Sequence, residues 1–498
     1  MRIEDLWRGR DDPAVCARIA CRYGGQTFSY GWLLQRARRL AAWLRREGDD
    51  RPVLLLGHKH PMLLAGMLAC LEAGRAYVPC DLAIPPARRA QMLTLAGASL
   101  ALCCEERADA SGLPMGTACL GWRALRGVSA AEWGTAPAEP AGPDAYLLFT
   151  SGSTGAPKGV RVTRSNLEHF LAWFGALDAL RSFRPRVVLN QALYSFDLSV
   201  ADVYYSLAVG AELAPLTQQE QRDFPILFAR LADSGAELAV LTPSFAELCL
   251  CDRRFCTALL PRLRVIFFCG EPLKPRTAAR LFERFPGVRV LNAYGPTEAT
   301  CAVCCAEITP GMTGWPRLPV GRTDEAAVRL LVMEGNRTLP EGAEGELVLC
   351  GASVAAGYCG GLRGGFCELD GLPAYRTGDL GCIRDGFVYC AGRLDGQLKY
   401  KGYRIEPGDV ESALCGVPGV ERAAVAPVRG QDGQVLGLTA RIVGSPGLQP
   451  AAVRSAAAAL LPAYMLPKTI EIVDRLPMNA HGKTDRLELE RTSAYAPE

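Results

Sequence analysis

Apolar residues recur along this chain in helical and strand-like rhythms that alternate through most of its length. Over residues 27–46, Trp32, Leu33, Leu34 and Leu40 fall at helical spacing behind Ser29, which predicts an amphipathic helix capped by that serine. Residues 53–56 form an unbroken apolar run of strand length, and 61–72 an apolar run of helix length. Residues 73–89 read as a turn, a short strand and a proline-punctuated corner, and 99–104 as a further strand. Residues 124–144, rich in Ala, Gly and Pro, read as a loop leading to a strand at 146. Strands near 187–190, 238–242 and 265–269, with helices between them, continue the alternation. Such alternation predicts doubly wound α/β layers.

After Tyr294 the rhythm changes. Short apolar runs at 327–333, 346–350 and 386–390, separated by Gly-rich turns, predict an antiparallel or distorted barrel-like region, with 357–371 as an exposed loop. Past Arg393 it changes again, to strands at 398–400 and 423–427 and helices at 407–414 and 451–460. The expected architecture is therefore a large α/β domain over 1–393 and a small mobile α+β domain over 394–498.

Composition narrows the class. A chain of 498 residues exceeds one core, and 49% hydrophobic with 21% charged residues is ordinary for a globular protein. A net charge of +3 excludes a dedicated nucleic-acid binder. The 20 cysteines show one C-x2-C pair, Cys301 and Cys304, without a second at zinc spacing, so buried reduced thiols and no metal cluster are expected. The charged start MRIEDLWRGR lacks a signal-peptide core, and residues 52–71 are broken by His58, Lys59 and His60, so no membrane span is expected. A cytoplasmic monomer is the expected form.

Candidate chemistry begins at YLLFTSGSTGAPKGV (146–160), where an apolar strand gives way to hydroxyls, glycines and a lysine. Thr150, Ser151, Gly152, Ser153, Thr154 and Lys158 offer what a polyphosphate needs, although the spacing is not that of a Walker A loop. NAYGPTEAT (292–300) gathers an aromatic, a hydroxyl and a carboxylate in Tyr294, Thr297 and Glu298. Asp379 in YRTGDL could accept both ribose hydroxyls, Arg393 and Asp395 follow in GRLDGQLKYKGYRIE, and Lys483 stands on a turn in NAHGKTDR. Taken alone, each has a plain reading as a turn, a helix cap or a solvated charge.

Together, in this order, these strings resemble the adenylate-forming superfamily of acyl-CoA synthetases, luciferases and nonribosomal adenylation domains, over about residues 25–487. The resemblance implies ATP and Mg2+ and two steps: a carboxylate attacks the α-phosphorus of ATP, releasing pyrophosphate, and a thiol then displaces AMP. It implies that Lys483 bridges carboxylate and α-phosphate, that Glu298 holds Mg2+, and that the 150–158 loop grips the β- and γ-phosphates with Thr297 near the α-phosphate. It further places Asn292, Ala293 and Tyr294 at adenine, Asp379 and Arg393 at ribose, Asp395 at the hinge, and Gly402 on the path of a pantetheine arm.

SFDLSVADVYYS (195–206) bears on the substrate. A carboxylate at Asp197 resembles the amino-acid-activating branch, where it pairs with the substrate ammonium; a helix N-cap is the other role open to it. By family position Leu198, Ala201, Phe267, Cys269, Ala293, Cys301 and Ala302 surround the substrate side chain, and a bulky Phe267 leaves room for a small one. NQALYSFDLSVADVYYSL, LTPSFAELCLCD, FFCGEPL and LPAYMLP resemble the D-alanine:D-alanyl carrier protein ligases of teichoic-acid D-alanylation, whose cysteine before Gly-Glu corresponds to Cys269. That implies D-alanine as substrate and a separate phosphopantetheinylated carrier protein as partner. Another small amino acid (L-alanine, glycine or serine) and an acyl-CoA synthetase are the alternatives; Ala201, Phe267 and Cys301 depart from the family pattern.

Overall fold

A computed structural model describes residues 2–7, 9, 11–46, 49–110, 112–114, 116–127, 142–152, 157–394, 396–430, 433–477 and 486–492. Two mostly parallel sheets form its centre. The eight-stranded one runs, edge to edge, Cys304–Ile308, Arg289–Tyr294, Val265–Phe268, Leu238–Leu241, Val187–Asn190, Glu212–Pro215, Ile19–Tyr23, Gln26–Ser29. The six-stranded one runs Ala118–Leu120, Leu100–Cys103, Val53–Leu56, Tyr77–Cys80, Asp144–Thr150, Lys158–Thr163. Inner strands such as Val53–Leu56 and Leu238–Leu241 are buried at every position, because helices cover both faces of a parallel sheet. Helices Tyr30–Arg46, Pro61–Ala73, Arg164–Ala176 and Leu198–Val209 lie in the apolar layer shared by the two sheets.

Ser29 caps the first of these helices as expected, its hydroxyl accepting from the Trp32 amide at 3.1 Å. The proline corner hides a helix, Pro86–Ala96: proline at the first helical turn starts a helix rather than ending one. Helix Trp122–Gly127 likewise covers the beginning of the expected loop. The Gly-rich stretch at 357–371 contains the strand Phe366–Leu369, paired antiparallel with Leu372–Arg384.

The third sheet is seven-stranded and antiparallel, built on Arg329–Glu334, Gly345–Cys350, Leu372–Arg384 and Phe387–Arg393. Beyond it comes the hairpin Leu398–Tyr400/Tyr403–Ile405. A three-stranded sheet, Val420–Arg429, Val435–Gly444 and Thr469–Ile472, then packs with helices Pro407–Cys415 and Pro450–Ala457 around a core of its own. This carboxyl-terminal unit rests against the large one at a buried ion pair, Arg88 to Asp409 at 2.8 Å, and through Tyr403, which stacks on Tyr464 at 3.8 Å and meets Phe196 edge-on. No helix among the described residues is long and apolar enough to cross a membrane.

Candidate active site

The strand ends of the eight-stranded sheet, Thr150 and Ser151 at the end of strand Asp144–Thr150, and the Leu398–Ile405 hairpin converge on two cavities, as expected where ligands sit beyond the carboxyl ends of parallel strands. The first, of about 350 Å3, is lined by Thr150, Ser151, Asp197, Leu198, Cys269, Thr297 and Cys301, with Gly402 and Arg404 from the hairpin. The second, of about 610 Å3, is lined by Asn292, Ala293 and Tyr294, and Asp379, Arg393 and Lys399 face it too.

Asp197 immediately precedes helix Leu198–Val209 yet makes no capping hydrogen bond. Instead it accepts a 2.6 Å hydrogen bond from the Thr297 hydroxyl. Burial first, then the Glu298 charge, pushes its carboxyl above the ordinary value, against the opposing pull of the Thr297 hydrogen bond and, more weakly, of the Leu198 amide and the Arg404 charge; no arginine or lysine lies within ion-pair distance of it among the described residues. A half-buried carboxylate on a small cavity, without an ion-pair partner among the described residues, is the complement of an ammonium group. Cys269 and Cys301 form part of the cavity wall, the Cys269 thiol 3.8 Å from the Cys301 carbonyl oxygen. Burial first, then the Asp197 charge, pushes the Cys269 thiol up to about 12, so it stays a neutral thiol and acts by its bulk. Thr300 and Cys301 are both left-handed, with φ of 60° and 70°, a costly pairing outside glycine that turns the backbone against the cavity.

Glu298 is completely buried. Its carboxylate receives Arg404 Nη1 at 3.0 and 2.8 Å and the Tyr358 hydroxyl at 2.6 Å. Burial alone would raise the Glu298 pKa, but Arg404 and the Tyr358 hydroxyl outweigh it, and the pKa lies below the ordinary value. Asp379 accepts from Tyr294 and from Arg393 Nη1, each at 2.6 Å, so the three residues expected around the nucleoside meet in one network. Among the buried polar atoms without a partner among the described residues are the side-chain oxygen of Asn292, which lines the second cavity, and the hydroxyl of Thr150, which lines the first. The first suits an amino group such as that of adenine, and the second an anionic oxygen. Lys158 stands 5.9 Å from the Tyr358 ring.

Both family models for these enzymes fit: that described as AMP-binding enzyme matches residues 8–359, and that described as AMP-binding enzyme C-terminal domain matches 409–483. The chain belongs to the AMP-binding enzymes. Among relatives of this family, a D-alanine–D-alanyl carrier protein ligase of Listeria monocytogenes is 35% identical over 510 residues, covering 97% of each chain. One of Bacillus cereus is 35% identical over 477 residues, 93% of this chain and 94% of that one. Among solved structures, a holo nonribosomal peptide synthetase protein with adenylation and PCP domains superposes with a TM-score of 0.81 at 27% identity. It covers all of this chain and 85% of that one. A Vibrio cholerae adenylation domain in complex with glycyl-adenosine-5'-phosphate has the same fold, with a TM-score of 0.80 at 23% identity over 98% and 97% of the two chains. Enzymes of this AMP-binding family use ATP.

Among the expected substrate-pocket residues, Asp197, Leu198, Cys269 and Cys301 line the first cavity, and Ala293 the second. Ala201, Phe267 and Ala302 are fully buried without reaching the cavity surface; Phe267 packs edge-on against Phe174 at 5.0 Å. Phe267 therefore limits the pocket by filling the layer that supports its wall. Gly152 belongs to the described part of the loop, whereas Ser153, Thr154, Asp395 and Lys483 lie outside the described residues. Gly402 has φ of 81°, and a Cβ there would come within 2.8 Å of Thr242 Cγ2, so only glycine allows this close crossing.

Several residues in the site carried no sequence signal of their own. Arg404 sits inside a recognised string but finds Glu298 only through folding. Glu271 accepts the Gly402 amide at 2.6 Å and the Ser244 amide at 3.0 Å, tying the hairpin to the large unit. Ser151 donates to the Arg404 carbonyl at 2.7 Å and accepts from the Glu406 amide at 3.1 Å. Lys59, wholly buried, donates to the carbonyls of Asn190 and Gln191 at 3.3 and 2.9 Å, supporting the segment that leads to Asp197.

Proposed function

We propose that this enzyme activates D-alanine as D-alanyl-AMP and then passes the alanyl group to the phosphopantetheine thiol of a separate carrier protein. The observation that carries this reading is Asp197, a half-buried carboxylate on a small cavity with no ion-pair partner among the described residues. Likeness over nearly the whole chain to D-alanine–D-alanyl carrier protein ligases supports the choice of substrate and partner. The substrate ammonium pairs with Asp197, its methyl lies against Cys269 and Cys301, and its carboxylate points toward Thr150 and Thr297. In the first step a carboxylate oxygen bonds to the α-phosphorus as the bond to pyrophosphate breaks. In the second, the thiol sulfur, its proton lost, bonds to the carbonyl carbon and AMP leaves. Both steps gather negative charge, which Lys158 and Lys483 offset.

Glu298 fits a magnesium ion held chiefly by phosphate oxygens, since one ionised carboxylate is the protein donor such a site needs. The ion, when bound, screens the phosphate charges. In the present arrangement Arg404 takes that carboxylate, Ser151 is bonded to the backbone at 404–406, and Gly402 presses against Thr242. We read this as the arrangement for the thiol step, reached by rotation of the small domain, residues 394–498, about Asp395. Lys483 serves the other arrangement.

Lys483→Ala is expected to lower adenylate formation by about a thousandfold, as for loss of a group aimed at developing charge, while ATP binding persists. Single-turnover D-alanyl-AMP formation beside nucleotide binding measures this, and undiminished adenylate formation contradicts the assignment. Cys269→Ala is expected to improve kcat/KM for L-alanine by about tenfold, by opening the wall that crowds the opposite methyl direction. Pyrophosphate exchange with both enantiomers measures it, and an unchanged D/L ratio contradicts the steric reading.

A further inference from the structure

The apolar run at 52–71 is broken by His58, Lys59 and His60, and the chemistry proposed above uses none of the three. Lys59 follows strand Val53–Leu56 of the six-stranded sheet and is fully buried. Its ammonium reaches across to the eight-stranded sheet, donating to the carbonyls of Asn190 at 3.3 Å and Gln191 at 2.9 Å. Asn190 ends strand Val187–Asn190, and Gln191 begins the stretch that delivers Asp197. From Gln191 to Leu198 every residue except Tyr194 lines the first cavity, and Tyr194 is buried with its ring 5.9 Å from the Lys59 ammonium. The same two carbonyls also accept from the Leu216 amide at 2.9 Å and from Gln221 Nε2 at 3.1 Å. Both of those donors follow strand Glu212–Pro215, in the same sheet as the stretch itself. Lys59 instead holds the stretch against the sheet whose strand Asp144–Thr150 carries Thr150 to the cavity.

Lys59 has a counter-charge in Asp202, equally buried on helix Leu198–Val209. Asn190 joins the two. Its backbone carbonyl accepts from the lysine, while its side-chain amide donates to Asp202 Oδ2 at 2.8 Å and to the Ala192 carbonyl at 3.0 Å. Burial pulls the Lys59 ammonium down to about 7, opposed by the charges of Asp202, Asp81 and Glu220. Burial likewise pushes the Asp202 carboxyl up to about 8, opposed by the Asn190 hydrogen bond and the Lys59 charge. Asn190 Oδ1, Asp202 Oδ1 and the Tyr194 hydroxyl lack partners among the described residues. Burying two charges beside unmet polar atoms costs stability, and apolar side chains of similar volume would fill this space at less cost. What the cluster supplies is a fixed path for the chain from Asn190 to Asp197.

We propose that Lys59 is a positioning residue for amino-acid recognition: it fixes the 190–197 stretch against the neighbouring sheet and so sets where the Asp197 carboxylate meets the substrate ammonium. The inference rests on the function proposed above, in which Asp197 receives that ammonium.

The test compares full-length Lys59→Met with wild type in ATP–pyrophosphate exchange, varying D-alanine and ATP in turn. Methionine keeps most of the side-chain length but donates nothing to the two carbonyls. The KM for D-alanine is expected to rise about tenfold, with kcat and the KM for ATP within about twofold, the pattern of a weakened binding contact. A lysine that served only the fold would not single out one substrate. Lys59→Met/Asp202→Asn carries the same expectation should the single variant fail to fold, because it also removes the charge that the first substitution leaves unbalanced and keeps an acceptor for Asn190. A KM for D-alanine within about twofold of wild type, or an equal rise in the KM for ATP, overturns the proposal. Wild-type exchange with D-alanine, L-alanine, glycine and serine tests the underlying reading separately. If another of these is preferred, the same comparison is made with that substrate, and the role of Lys59 stands or falls on it.

Discussion

Asp197→Asn is expected to raise the KM for D-alanine by a hundredfold or more, leaving the KM for ATP within about twofold. The substrate ammonium would then enter a desolvated site with no charge to meet it, and truncating one side of a buried charge pair costs about 2–5 kcal/mol. Asparagine keeps the shape and can still accept from Thr297, so the loss reports the charge rather than the packing. The wild-type pH profile carries the same signature. Burial raises the Asp197 carboxyl, so the ionised form that binds ammonium dominates only above that raised value. The KM for D-alanine should climb as pH falls through it, and the asparagine variant should lose that dependence. Pyrophosphate exchange against D-alanine concentration across the acid range measures both, and a KM unmoved by the substitution contradicts the ammonium clamp.

Arg404→Met is expected to separate the two steps. Removing one partner of a buried ion pair leaves Glu298 as an uncompensated charge, costing about 3–5 kcal/mol in the arrangement where the pair forms. That arrangement becomes rare, so transfer to a holo-carrier falls by about a hundredfold or more, while adenylation, which uses Glu298 without Arg404, stays within a few fold. The ratio of single-turnover adenylate formation to thioester formation reads the split directly. Equal losses in both steps would show that the ion pair serves only to hold the fold.

The two layers of parallel sheet were legible because strands buried on both faces read as unbroken apolar runs, as at Val53–Leu56 and Leu238–Leu241. Elements that begin at proline or glycine were harder. Helix Pro86–Ala96 opens on a residue that also marks turns, and Phe366–Leu369 lies inside a glycine-dense stretch. In the site, Asp379, Arg393 and Tyr294, singled out from contiguous motifs, are brought into one hydrogen-bonded network by the fold. Pairings across the chain were not legible. Arg404 reaches Glu298 over 106 positions and Glu271 reaches Gly402 over 131, and neither spacing follows from a local period. Asp197 held two readings in the sequence, a cap and a clamp; it makes no side-chain cap on its helix and is bonded across the chain by the Thr297 hydroxyl, a pairing no local period predicts. Phe267 was assigned to the pocket surface from its family position, which says which layer a residue occupies but not how far its side chain reaches.

The central claim joins a nucleotide site to an amino-acid clamp, and ATP–pyrophosphate exchange by the wild-type enzyme over a panel of D-alanine, L-alanine, glycine, serine and fatty acids tests both at once. The account expects the highest kcat/KM with D-alanine, weaker exchange with the other small amino acids, and none with fatty acids. Strongest exchange with a fatty acid, or exchange with none of the panel, would contradict it.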